Sequence, residues 1–390
     1  MTYRRTSRYG LAAACLIIPA VAAGVHTPPP LAHDTEVGPG AVIWSEPQDP
    51  YYSLAGEIAD TEGLPLAHTV DAGLSHDPEF LIWVVAPRRL SEEAFSHLGW
   101  ALERHGKVVS VGLMTGSTID TARALWHRRA KLARRHLSIV PREGQIVATQ
   151  GGRIEHYPLG IEQVVEQIGL ADYVVFQGHG SRRYWRLDET TELAASDLPS
   201  LPPQIVAAGA CQTFKIWSED SIALGFTDRG AAAYVGFLHS PTGYLIGEPR
   251  GFPFRYTWPD FPVGHAVQVQ SRGLRRGFIA WPYYLVVGDP RLSLRAEPPY
   301  HLQGDVMVGD SRVLTFAGAP EGVIPVSVPN GAAYRFVEIP GVGRAWAGDP
   351  FYNGMLQMAD IGGAKHLIFL HAGGDFTVRL HRAPPWHWSA

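Results

Sequence analysis

The sequence predicts a mainly parallel α/β sheet with helices on both faces, followed by a small all-β sandwich of immunoglobulin-like type. Three observations carry that expectation. Continuous apolar runs alternate with amphipathic segments from residue 41 to residue 288, the rhythm of buried strands joined by helical crossovers. The rhythm stops at RAEPPY, residues 295–300. Beyond it, Gly, Pro and Asn separate short strand candidates, and no long helical period appears.

The first 23 residues read as an export signal. Arg4, Arg5 and Arg8 precede the apolar run LAAACLIIPAVAA, and Val21-Ala22-Ala23 supplies the small residues of a cleavage site before Gly24. The run is too short to span a bilayer core of roughly 30 Å as a helix, and no later stretch is long and apolar enough either. The expected product is secreted or periplasmic, with no integral membrane segment in the mature chain. Cleavage removes three positive charges from a formal net charge of −4 and also removes Cys15, leaving Cys211 as the one cysteine. An exported chain of this kind has no internal disulfide and depends on its packed core.

Residues 24–74 hold a Pro/Gly-rich lead-in and the first strand and helix, at 41–45 and 51–58, the helix closed by Gly63. Residues 75–295 continue the alternation. FLIWVV at 80–85 and VVSVGLM at 108–114 are apolar throughout, as strands buried on both faces must be. Between them, 91–104 is an amphipathic helix ended by Gly106. Ser117 with Asp120 resembles a capping box. The helix after it carries Ile119, Ala122, Trp126, Ala130, Ala133 and Leu137 at intervals of three and four. Its arginines, Arg123 to Arg135, fall mostly off that stripe and read as a solvated face.

A hairpin follows at 145–149 and 153–157, turning at Gly151-Gly152, then a helix at 161–168. Strands are expected at 173–176 (YVVF), 205–208 (IVAA), 231–238 (AAAYVGFL) and 283–287. Helices are expected after Ser218, with Glu219 and Asp220 in the first turn, and at 266–278. The sandwich occupies 301–390, with strands at 313–316, 323–328, 334–339, 366–370 and 376–380.

Composition narrows the function. The chain of 390 residues is 46% hydrophobic and 18% charged, which excludes a disordered tail, a coiled coil and a collagen-like repeat. The slight acidity provides no field for nucleic acid. No H-E-x-x-H, cysteine cluster, G-x-S-x-G elbow or G-x-G-x-x-G loop occurs, so no metal, cofactor or nucleophilic serine is expected. His387, between two tryptophans, reads as a tail feature.

Ligands of open α/β sheets bind beyond the carboxyl ends of strands. Two strands here end in reactive groups: YVVF runs into Gln177-Gly178-His179-Gly180-Ser181, and IVAA into Gly209-Ala210-Cys211. A thiolate beside an imidazole is a nucleophile with a proton shuttle. The glycines around the pair admit a substrate backbone and free amide N–H groups.

Gly178-His179-Gly180-Ser181 with Trp185, the strand ending Ala210-Cys211, Gly230-Ala231-Ala232-Ala233 and Val287-Gly288-Asp289-Pro290 together resemble the gingipain-type cysteine peptidases of the caspase-like group. The resemblance implies endopeptidase action on protein or peptide substrates through an acyl-enzyme, without a cofactor. Cys211 would be the nucleophile and His179 the general acid/base, with the Gly180 and Cys211 amides as oxyanion donors and Trp185 against the substrate. Gln212-Thr213 departs from the caspase pattern, and Asp188, Glu189 and Glu192 are candidates for an acidic specificity pocket. The alternative is a degenerate peptidase-like fold used as an exported binding or scaffold protein.

Overall fold

The computed structural model describes residues 40–106, 108–128, 135–150, 153–218, 220–240, 262–273, 284–293, 300–346 and 356–383. The export signal, the Gly151-Gly152 turn, Glu219, most of the RAEPPY stretch and His387 lie outside them.

Among the described residues, fourteen strands precede the linker. They are β1 (Ala41–Trp44), β2 (Leu66–Ala67), β3 (Phe80–Val84), β4 (Ser110–Met114), β5 (Arg135–Val140), β6 (Gln145–Gln150) and β7 (Arg153–Pro158). After these come β8 (Tyr173–Gln177), β9 (His179–Gly180), β10 (Tyr184–Arg186), β11 (Glu192–Ala194), β12 (Ile205–Gly209), β13 (Ala233–Phe237) and β14 (Tyr284–Gly288). The helices are α1 (Tyr52–Glu62), α2 (Val70–Ser75), α3 (Glu92–His105), α4 (Ile119–His127), α5 (Ile161–Leu170), α6 (Ile222–Asp228) and α7 (Val263–Gly273).

Eleven strands form one sheet in the order β2-β1-β3-β4-β14-β13-β12-β8-β5-β6-β7. Residues 41–67 are therefore integral to it, through the β1–β3 pairing. The sheet is mainly parallel, with one internal reversal. Strands β2, β1, β3, β4 and β14 run one way; β13, β12, β8 and β5 run the other. The antiparallel β13–β14 pair joins the two blocks. The carboxyl ends of the two blocks consequently lie at opposite edges.

Both faces are covered. Tyr234, Val206 and Phe176 pack in one cluster with Phe226 of α6, and their neighbours Val235, Ala207 and Val175 pack in another with Val263 and Val267 of α7. That is the period-2 alternation of strand side chains. Local signals fix several boundaries. Ser91 caps α3 by accepting the Ala94 amide at 3.1 Å, Glu92 and Glu93 occupy the first turn, and left-handed Gly106 (φ 75°) ends it.

Four expectations fail locally. Thr118, rather than Ser117, caps α4, in a reciprocal box with Thr121. That helix stops at His127, because the Arg128 guanidinium reaches the carbonyls of Thr227 and Ala231 and the backbone turns extended. Leu137 belongs instead to β5, where it and Ile139 are the buried members of an alternating strand. Arg128 and Arg135 are accordingly part-buried and bonded, the latter to Gln167 and Glu155, rather than solvated. At α6, Ser221 is the cap, while Ser218 closes a turn onto the Lys215 carbonyl at 2.8 Å.

Beyond the linker lie β15 (His301–Val308), β16 (Ser311–Val328), β17 (Phe336–Ile339), β18 (Gly343–Trp346), β19 (Leu356–Ile361) and β20 (Ala364–His381). They form one antiparallel sheet instead of the two sheets of an immunoglobulin-like sandwich. Strands expected as separate pieces fuse into β16 and β20, which pair along their lengths with a register shift between Phe316 and Ala319. Gly318, Gly373 and Gly374 have positive φ at that bend, so the sheet folds over and its halves share one core. Leu314, Phe316 and Val378 from one half meet Ile324, Leu356 and Phe369 from the other. Ala266 and Val269 of α7 pack against Ala359, Ile361 and Ile368 of this sheet.

Candidate active site

Strands β8 and β12 are parallel neighbours in register from Tyr173↔Ile205 to Gln177↔Gly209. His179 and Cys211 each follow by two residues, so the two chains leave the same sheet edge side by side. The Gly178 amide donates to the Gly209 carbonyl at 3.4 Å, extending the pairing past the last register pair. His179 is exposed and Cys211 partly so.

After His179 the chain turns back as β9 and β10, closed by the Ser181 amide on the Tyr184 carbonyl at 3.0 Å. That bond makes Gly180–Trp185 a non-hydrogen-bonded pair, so the Gly180 N–H points away from β10. A Cβ on Gly180 would lie 3.0 Å from the Ala210 Cβ and 3.0 Å from the Tyr184 carbonyl. Only glycine lets this strand sit so close to the cysteine turn. The Cys211 amide has no acceptor among the described residues.

Trp185 does not face substrate. It is wholly buried, stacked on Phe176 at 4.5 Å and bonded through Nε1 to the Tyr234 hydroxyl at 3.2 Å. It anchors the histidine hairpin into the core. Two of the acidic candidates have structural work nearby. Asp188 accepts the Thr190 and Thr191 amides, the first at 2.7 Å, and these bonds hold its carboxyl down at about 2. Glu192 pairs with Arg186 at 3.1 Å. Glu189 is exposed.

On the other side of β12, strand β13 runs on through Leu238 into His239-Ser240, a pair that sequence reasoning passed over. The Ser240 hydroxyl lies 3.1 Å from the Cys211 sulfur. The Gln212 amide donates to the His239 carbonyl at 3.2 Å, and the Phe214 amide to the Phe237 carbonyl at 2.9 Å. Gln212 itself is left-handed (φ 58°), so the chain turns sharply directly after Cys211. Burial pushes the His239 imidazole below its ordinary range, helped by Lys215 and opposed by Glu92. Those two groups are paired at 2.5 Å. The signal was available: the run AAAYVGFL ends in a reactive pair just as YVVF and IVAA end in His179 and Cys211.

A cleft of about 950 Å³ lies at the opposite edge, where β1, β3 and β4 end, lined by Tyr51, Arg88, Thr118, Trp217 and Asp228 among others. It contains no cysteine or histidine, so it is not the candidate active site. The segment from Cys211 to Ser221 connects the two. Among the described residues, no group of three or more His, Cys, Asp or Glu side chains could hold a metal ion. No described helix is long and apolar enough to cross a membrane.

No family model matches the sequence, and no curated protein matches it. A solved structure named "Structure of Protease" is similar with a TM-score of 0.41 and 10% sequence identity, covering 85% of this chain and 91% of that one. At that level the functional reading rests on the chemistry of the site alone.

Proposed function

We propose that the protein is an exported cysteine endopeptidase, with 75–295 as its gingipain-like catalytic portion, Cys211 as nucleophile and His179 as general acid/base. One observation carries the reading: adjacent parallel strands in register deliver both groups to one edge, between residues small enough for a substrate backbone. In the first half-reaction the thiol proton passes to His179 and the sulfur attacks the scissile carbonyl carbon. The oxyanion that forms takes the Gly180 and Cys211 amides. Collapse breaks the C–N bond, and His179 gives its proton to the leaving amine. In the second, water loses a proton to His179 and attacks the thioester. The C–S bond breaks, a carboxylic acid leaves and gives its proton to solvent, and His179 returns its own proton to sulfur.

The test is turnover of a mixed-P1 fluorogenic peptide library by the purified protein beside Cys211→Ala. Cleavage by the wild type and loss of essentially all turnover in the variant support the reading. Equal silence from two folded, reduced proteins moves the assignment to an exported binding or scaffold protein.

A further inference from the structure

We propose that Ser240 is a positioning residue for Cys211: its hydroxyl, held at the carboxyl end of β13, orients the sulfur and donates a hydrogen bond to the thiolate. The proposal rests on the reading of Cys211 as the nucleophile and adds a group that the Cys–His pairing does not include. Strand β12 lies between β8 and β13. The cysteine turn is therefore flanked by His179 on one side and Ser240 on the other.

The contact is built rather than incidental. The β13 end is tied to the cysteine turn twice, by the Gln212 amide on the His239 carbonyl at 3.2 Å and by the sulfur–hydroxyl contact at 3.1 Å. In the neutral pair either atom can donate. Once the sulfur loses its proton only the hydroxyl can, and a bond to an ionised acceptor is roughly twice as strong as a neutral one. The hydroxyl consequently favours the thiolate over the thiol. Among the described residues, the other titratable groups on the elements that meet the turn are His179 after β8, His239 after β13, Lys215 beyond Cys211, and Glu92 at the start of α3. Lys215 and Glu92 are paired, and burial lowers the His239 pKa, which disfavours its charged form. A fixed hydroxyl is then a donor to sulfur whose availability does not itself change with pH.

The experiment measures carbamidomethylation of Cys211 in the full chain against pH, with the Cys211 peptide followed by mass spectrometry. Ser240→Thr keeps the hydroxyl; Ser240→Val has the same shape without it. In Ser240→Val the profile is expected to move to higher pH by about one unit, with about tenfold less thiolate at any pH well below both midpoints. Greater nucleophilicity of the more basic thiolate offsets roughly threefold of that, so alkylation at such a pH slows about threefold. Ser240→Thr is expected to follow the wild type. Coincident Thr and Val profiles, or a Val profile moved to lower pH, overturn the proposal. If neither β-branched variant folds, Ser240→Ala against wild type gives the same two outcomes. Alkylation needs no peptide turnover, so failure here is distinguishable from failure of the peptidase reading, which Cys211→Ala reports.

Discussion

Gly180 is the residue on which the site's geometry is most finely balanced. A Cβ at this position would sit 3.0 Å from the Ala210 Cβ and 3.0 Å from the Tyr184 carbonyl, so the cysteine turn would have to give way to a methyl group. Gly180→Ala is expected to cost about 1–3 kcal/mol of stability through overpacking. It should also lower kcat/KM about 10²–10³-fold by displacing the amide proposed as an oxyanion donor. Denaturant melts beside peptide hydrolysis check both, and a variant with full activity would remove Gly180 from the oxyanion site. His179 and Cys211 were legible in the sequence because each follows a continuous apolar strand and stands among small residues. Ser240 follows such a strand too, beside His239, but a serine is a weaker residue-type signal than a cysteine or a histidine, and the 3.1 Å contact with sulfur is what makes it notable. Trp185 was legible as important and misread in role. An aromatic residue near a catalytic motif looks the same in sequence whether it faces substrate or core.

Among elements, the histidine hairpin of β9 and β10 has Trp185 as its largest core anchor, beside the β10–β11 pairing and the Ile222 amide on the Arg182 carbonyl. Trp185 fills a cluster with Phe176, Phe226 and Tyr234. Trp185→Ala is expected to destabilise the protein by about 3–5 kcal/mol, and Trp185→Phe by less, as equilibrium denaturation would show. A loss under 1 kcal/mol for the alanine variant would mean that the hairpin does not depend on its core contact. Strands β3, β8, β12 and β13 were readable almost to the residue because full burial demands an unbroken apolar run. The end of α4 was not. Its stripe continues into Leu137 by coincidence of period, and the actual stop depends on Arg128 meeting carbonyls about a hundred residues away in the chain. The bend in β16 and β20 was hidden for a related reason. Glycines that look like turn breaks act as hinges within long strands.

At the scale of the whole molecule, the antiparallel sheet docks on the α/β part through a contact that contains two histidines. His366, 6% exposed, lies 4.7 Å ring to ring from His265, which faces Glu79 at 2.9 Å and Phe80. Burial, then the His265 charge, push His366 down to about 3. Unfolded histidine titrates near 6.5, so below that pH the unfolded chain takes up a proton that the native state refuses. The stabilisation is fully present above about pH 6.5 and is lost as pH falls toward about 3, at up to about 1.4 kcal/mol per pH unit. Melting temperature against pH should fall through that window, and His366→Gln should flatten the fall. An unchanged slope would show that this docking contact does not govern the acid response. The alternation of strands and helices was legible throughout, whereas the reversal at β13 and β14 was not, since strand direction is settled by partners far apart in the chain. That reversal has a consequence during synthesis. β4 is made early, yet the partner that covers its free edge, β14, emerges only after nearly half the chain has followed it. Until then the first block carries an open, sticky border, and no completed amino-terminal half can form on the way out of the ribosome. The last strand of the large sheet to be translated is therefore the keystone that lets both halves close.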